Sequence, residues 1–291
     1  MSIDVLQEKI RKLKTPIVVD FAMCSQHIPP SFRDGKNALE SYQDYCKALQ
    51  EGLQDVVPAV RFSLGQFAMI SPEGVKSLGK LLHQAKELGY YVLLDSAEIL
   101  TPWDAERVAQ ACFDEEAHLP CDGLILSPFI GSDAIKPFLP YCTEGKKAVL
   151  VATRTPNKSA AELQDLLTGS RHLYNAVADM VGRFDNSRMS RSGYSGVGAL
   201  VAATSGDSIA ELRGKYKSLF LLVDGWDYTG ANAKNCSMAF DRLGHGAVLS
   251  VGPYITGAWN GEETDGSDYL EQAKLAVEGL KKKLARHVTV M

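Results

Sequence analysis

Eight short apolar runs, at 16–19, 56–60, 90–94, 123–126, 148–152, 197–203, 219–223 and 246–249, punctuate the 291-residue chain. Each is continuous rather than alternating and rich in Val, Leu and Ile. That is the pattern of strands buried on both faces of a parallel sheet. Between them lie segments whose apolar residues recur at helical spacing: 38–52, 72–88, 105–116, 159–168, 176–184, 208–216 and 232–243. A last segment, 269–286, carries Leu270, Ala273, Leu275, Ala276, Leu280 and Leu284 on one side. This order predicts a (β/α)8 TIM barrel filling 1–291 as one domain. A doubly wound open sheet is the competing arrangement, and the count of eight and the absence of a G-x-G-x-x-G turn weigh against it.

Composition excludes several classes. With 45% hydrophobic and 23% charged residues the chain can bury a full core, and a net charge of −4 leaves no footprint for nucleic acid. No stretch has the length and apolarity of a membrane span, and 1–14 is too charged for a signal peptide, so a cytoplasmic protein is expected. Six cysteines without a C-x-x-C pair point to reduced thiols rather than a disulfide framework or a zinc site.

In a barrel of this kind the functional face is the C-terminal end of the strands. The residues falling there include Asp20, Ala22, Arg61, Asp95, Ser127, Arg154, Asp224, Asp227, Ser250 and Pro253. The third run is distinctive. It ends in Asp95, and the following Ser96-Ala97-Glu98-Ile99-Leu100 offers small or apolar groups where a second charged pair would be expected. The polar stretch 185–196 reads as a plain surface loop, with an active-site lid over this face as the alternative.

Three segments in order and spacing, Ser127-Pro128-Phe129-Ile130-Gly131-Ser132-Asp133, Arg154-Thr155-Pro156-Asn157 and Gly196-Val197-Gly198-Ala199-Leu200-Val201-Ala202-Ala203-Thr204, resemble the long bacterial form of orotidine 5′-phosphate decarboxylase. Val57-Pro58-Ala59-Val60 and Ala258-Trp259 fit the same alignment, so the resemblance covers nearly the whole chain. It implies a barrel that dimerises with sites at the subunit interface, and conversion of orotidine monophosphate to UMP without metal or organic cofactor. It also implies an array of charges: an Asp at the first strand, a Lys at the second, and Asp-x-Lys-x-x-Asp at the third, whose last Asp enters the partner's site. A Gln in the seventh loop and an Arg in the eighth hold the phosphate.

Carried over by position, few of these groups remain. Asp95 keeps the first place of the third-strand motif, and Arg61 stands at the second-strand lysine. Ala22, Ala97 and Leu100 replace the first-strand Asp, the motif Lys and its last Asp, while Thr229 and Pro253 replace the phosphate-binding Gln and Arg. No lysine occurs between Lys86 and Lys136 and no Arg or Lys between Arg242 and Lys274, so a register slip restores neither group. Decarboxylation leaves charge at C6 that needs a positioned ammonium to stabilise and protonate it. Ala97 can do neither, and a guanidinium does not release its proton.

The remaining barrel mouth is acidic: Asp20, Asp95, Glu98, Asp224 and Asp227 around Arg61. Three arrangements would satisfy it. Arg61 can bridge Asp20 and Asp95 in a collapsed ion-pair network. Asp20, Asp95 and Asp224 with His27 can form a divalent-cation site. The mouth can also take a cationic or neutral small molecule stacked on Trp226 and Tyr228, aromatics that otherwise cap the barrel. Lys281-Lys282-Lys283 reads as the solvated end of the last helix.

The functional expectation is a catalytically degenerate homologue with a binding or regulatory role. It would hold a nucleotide or other small molecule through residues such as Asp20, Ser127, Arg154, Asn157, Asp224 and Thr229. It would act as a homodimer or as a heterodimer with a true decarboxylase. The alternative is an active lyase, either residual orotidine monophosphate decarboxylation or a different, possibly metal-dependent reaction using Asp95 and Glu98.

Overall fold

The continuous apolar runs become strands whose two residue parities serve two different cores. In the computed structural model, which describes residues 1–96, 98–261 and 264–289, the strands are β1 (Ile17–Asp20), β2 (Ala59–Ser63), β3 (Tyr91–Asp95), β4 (Gly123–Leu126), β5 (Ala148–Ala152), β6 (Val197–Ala202), β7 (Leu221–Asp224) and β8 (Ala247–Val251). They close a parallel barrel in the order β1-β8-β7-β6-β5-β4-β3-β2. One parity, with Val19, Val60, Val92, Leu124, Val149, Val201, Val223 and Leu249, packs outward against the helices. The other, with Val18, Ala59, Leu93, Ile125, Leu150, Leu200, Leu222 and Val248, fills the barrel interior. Asp20, Arg61, Asp95, Asp224 and Ser250 follow two residues after Val18, Ala59, Leu93, Leu222 and Val248, so strand alternation aims all five inward at the upper rim.

The lower end is closed by an element that the apolar-run pattern does not reveal. Helix Ser2–Leu13 buries Ile3, Leu6 and Ile10 in the interior cluster. The Ser2 hydroxyl lies 2.8 Å from Tyr91 Oη, itself an inward residue. The stretch 185–196 precedes β6 in the chain and therefore sits at this lower face, remote from the strand tips. It is not a lid. Asp4 of the helix accepts from Ser190 Oγ at 2.8 Å, from the Ser192 main chain at 2.9 Å and from Ser192 Oγ at 2.6 Å. Burial alone would raise the Asp4 pKa, but these bonds and the adjacent Met1 ammonium more than offset it and hold the carboxyl below its ordinary range.

Two expected helices form only in part. Only a 3-10 turn, Lys158–Glu162, forms in 159–168, and Gly169 at φ +69° turns the chain into a two-residue hairpin, Leu167–Thr168 with Arg171–His172. The segment 232–243 is helical only over Ala233–Ser237, before a turn that uses Gly244 and Gly246 at φ +73° and +83°. Helix Leu64–Ile70 is an addition after β2, capped by Ser63 through the Gln66 N–H. Among the described residues no helix is long and apolar enough to cross a membrane.

Candidate functional site

At the rim, one guanidinium meets three carboxylates. Arg61 Nε and Nη2 donate to the two oxygens of Asp95 at 2.8 and 3.0 Å, a bidentate fork. Its Nη1 donates to Asp224 Oδ1 at 2.7 Å and to Ser250 Oγ at 3.0 Å, and lies 3.1 Å from Asp20 Oδ2. The other Asp20 oxygen accepts from the main-chain N–H of Ala22 at 2.9 Å. The collapsed network expected around Arg61 is therefore the arrangement seen, enlarged by Asp224 and Ser250. With Arg61 between them, Asp20, Asp95 and Asp224 do not converge on a common empty point. Among the described residues no group of three or more His, Cys, Asp and Glu side chains is arranged to hold a metal ion.

Three negative charges on one positive charge in a largely dry site are unbalanced, and the titration of the acids reflects it. Burial pushes the Asp20 pKa up to about 7, with Arg61 opposing and Asp95 and Asp224 adding to the rise. Burial likewise raises Asp95, again against the pull of Arg61. The same carboxylates lift Arg61 well above its ordinary value despite its own burial. The guanidinium is locked in its charged form, and Asp20 is the group poised to gain or lose a proton near neutrality.

Above the network opens a cleft of about 480 Å³, whose walls include Ala22, Ser63, Gln66, Tyr228, Gly252 and Pro253. Its side between the seventh and eighth loops is tied by Asp227, which accepts the main-chain N–H groups of Gly252 and Tyr254 at 2.8 and 2.5 Å. Trp226 does not stack into the cleft but meets Tyr254 edge-on, with ring centroids 5.9 Å apart. Lys283 is not merely solvated: its ammonium sits 5.3 Å from the Tyr254 ring centre and 3.1 Å from Tyr254 Oη.

The other candidates lie apart from this cleft. Arg154 pairs with Asp165 at 2.8 Å and donates to the Thr155 carbonyl, which keeps it off the mouth. Asn157 accepts from Thr155 Oγ1 at 2.6 Å, and Thr229 and Glu98 are exposed without lining the cleft. Ser127 lines a second pocket. His27 accepts from the Cys24 N–H within its own 3-10 turn, and desolvation lowers its pKa against the opposing charge of Asp227. Leu100 is exposed beside helix Pro102–Phe113, and Ala97 lies outside the described residues. Ser63 and Gln66 are cleft side chains that sequence reasoning passed over. The Gln66 helix follows β2 directly, and the Ser63-x-x-Gln66 capping spacing was the available signal.

No family model matches the chain. It is, however, 28% identical over 276 residues to orotidine 5′-phosphate decarboxylase of Clostridium kluyveri, covering 94% of each chain. It is also 28% identical over 248 residues to that of Rhodopirellula baltica, covering 82% of each. The chain is related to the orotidine 5′-phosphate decarboxylases. The Leishmania donovani OMP decarboxylase structure superimposes with a TM-score of 0.72 at 24% identity, covering 97% of this chain and 99% of that one. The L. donovani UMP synthase structure gives a TM-score of 0.76, and there this chain spans only 56% of the larger protein's length. The decarboxylase likeness thus extends over every strand that contributes to the rim.

Proposed function

We propose that this chain is a decarboxylase relative that has given up orotidine monophosphate turnover and works by binding. The observation that carries this reading is Arg61. It is the one cationic side chain among the described residues lining the cleft, and each nitrogen of its guanidinium is already engaged, Nε and Nη2 by Asp95 and Nη1 by Asp20, Asp224 and Ser250. No positive group is left to meet a phosphate dianion or a developing C6 carbanion, and the surplus carboxylates repel both. Pro253 in place of the phosphate-binding Arg, and Asp227 on the neighbouring main-chain N–H groups, act in the same direction. A neutral or cationic small molecule suits such a mouth. The lyase alternative through Asp95 and Glu98 gains no support from a fork-bound Asp95 and an exposed Glu98.

The binding role extends to a partner subunit. Met69, Leu100, Trp103 and Phe129, exposed by 83, 59, 75 and 77%, follow the tips of the consecutive strands β2, β3 and β4. Apolar exposure of this kind marks an interface, here with a second copy or with an authentic decarboxylase subunit. Six cysteines without a disulfide fit a reducing, cytoplasmic setting.

The test is purified protein with orotidine monophosphate, following loss of the orotate absorbance, together with UMP binding by calorimetry. The expected result is no turnover above the uncatalysed rate and no UMP saturation. Turnover that Asp95→Ala abolishes would overturn the proposal.

A further inference from the structure

A second cavity, of about 300 Å³, opens beside the mouth without sharing a lining residue with it. One wall is apolar and comes from helix Leu173–Gly182 and the preceding turn, through Leu163, Leu173 and Val177. Pro128 and Phe129, after β4, face it from the other side. The polar lining is Ser127, Thr153, Thr155 and the Gln164 amide, and no Asp, Glu, Lys or Arg side chain lines it.

The carboxylates bonded to neighbouring side chains have their oxygens already engaged. Asp165 is held by Arg154, and Glu211 accepts from Tyr174 Oη at 2.6 Å and from Asn175 at 3.0 Å. With no charged side chain in the lining, an ionic guest would shed its hydration without a direct counter-charge to replace it, which disfavours anions and cations alike. The polar groups also set the guest's hydrogen-bonding needs. Gln164 Oε1 accepts the Thr155 N–H at 2.8 Å, which fixes the amide's orientation, and Gln164 Nε2 gives one hydrogen to Thr155 Oγ1 at 2.8 Å. The second Nε2 hydrogen remains for a guest. Thr153 Oγ1 is engaged with the Leu200 carbonyl, whereas the exposed Ser127 hydroxyl at the rim is available.

We infer that this cavity is a binding site for a small uncharged ring compound bearing a carbonyl group. The ring lies between the apolar walls, and the carbonyl accepts from Gln164 Nε2 and the Ser127 hydroxyl. A volume near the lower end of known ligand pockets limits the guest to roughly one substituted ring, and so to weak, fragment-like affinity.

Benzamide, benzoate and benzylamine share one ring and differ in charge, so they serve as probes, with amide chemical shifts of the full chain as the readout. Benzamide is expected to saturate and to shift Leu163, Leu173 and Val177, with the two ions weaker by roughly tenfold or more. Val177→Phe fills the cavity, and Ser127→Phe blocks its rim from an exposed position that leaves the core untouched. Either is expected to weaken benzamide by about tenfold or more. Equal binding of the three probes, shifts confined to the Arg61 cleft, undiminished binding to both variants, or no saturable binding of benzamide would overturn the assignment.

Discussion

At the scale of the residue, Asp20 carries the mouth's proton balance. Its folded pKa of about 7 lies above the 3.8 of a free aspartate, so between these values the folded protein holds a proton that the unfolded chain has released. The associated stability is complete below about pH 4 and lost as pH rises through about 7. Asp95, also raised, adds the same sign, whereas Asp4, which is lowered, contributes stability that is lost only as pH falls. Asp20→Asn fixes the neutral state at one position. Its unfolding free energy relative to the parent is expected to rise between pH 4 and 7 by about 1 kcal/mol or more, then level off. Urea unfolding of both proteins across that range checks this, and parallel pH curves would refute it. The Arg61 pairing with Asp20 and Asp95 was legible because strand-end position and side-chain parity fix where each group points. The destination of Arg154 was not, because its partner Asp165 lies on a turn that local pattern reads as helix.

Helices and loops show where sequence pattern stops being informative. The eight strands fell within a few residues of the apolar runs, because a strand buried on both faces has no choice but continuous apolarity. Helix Ser2–Leu13 escaped notice although Ile3, Leu6 and Ile10 have the right spacing. Charged neighbours dilute the stripe, and the partner surface is the barrel floor, which no local window contains. The strap 185–196 is the surface loop its polarity suggests, and the lid reading fails for a related reason: polarity marks a loop, whereas only chain order relative to the strands says at which end it lies. Asp4 joins these two elements. Asp4→Ala removes the acceptor of the Arg191 and Ser192 N–H groups and of the Ser190 and Ser192 hydroxyls, and is expected to cost about 2 kcal/mol in unfolding. Amide exchange should quicken within Ser2–Leu13 while the strands stay protected; unchanged exchange there would show that the strap does not anchor the helix.

For the whole molecule, the proposed contact between copies is the apolar rim after β2 to β4. If that face pairs, sedimentation should give a dimer for the parent and a monomer for Trp103→Glu, with unfolding midpoints nearly equal because Trp103 is 75% exposed. A Trp103→Glu variant that sediments like a dimeric parent would place the contact elsewhere. The count of eight runs made closure legible; the outward face of the rim was not, because exposed apolar residues follow no period. The bridge from Asp227 to the main chain of Gly252 and Tyr254 has a further consequence. A carboxylate built into the chain acts as a tethered competitor for those two N–H groups, at an effective concentration of order millimolar or above. A dissolved anion must displace that carboxylate to reach the two N–H groups, so on the proposed reading the eighth loop disfavours free phosphate by occupancy as well as by charge.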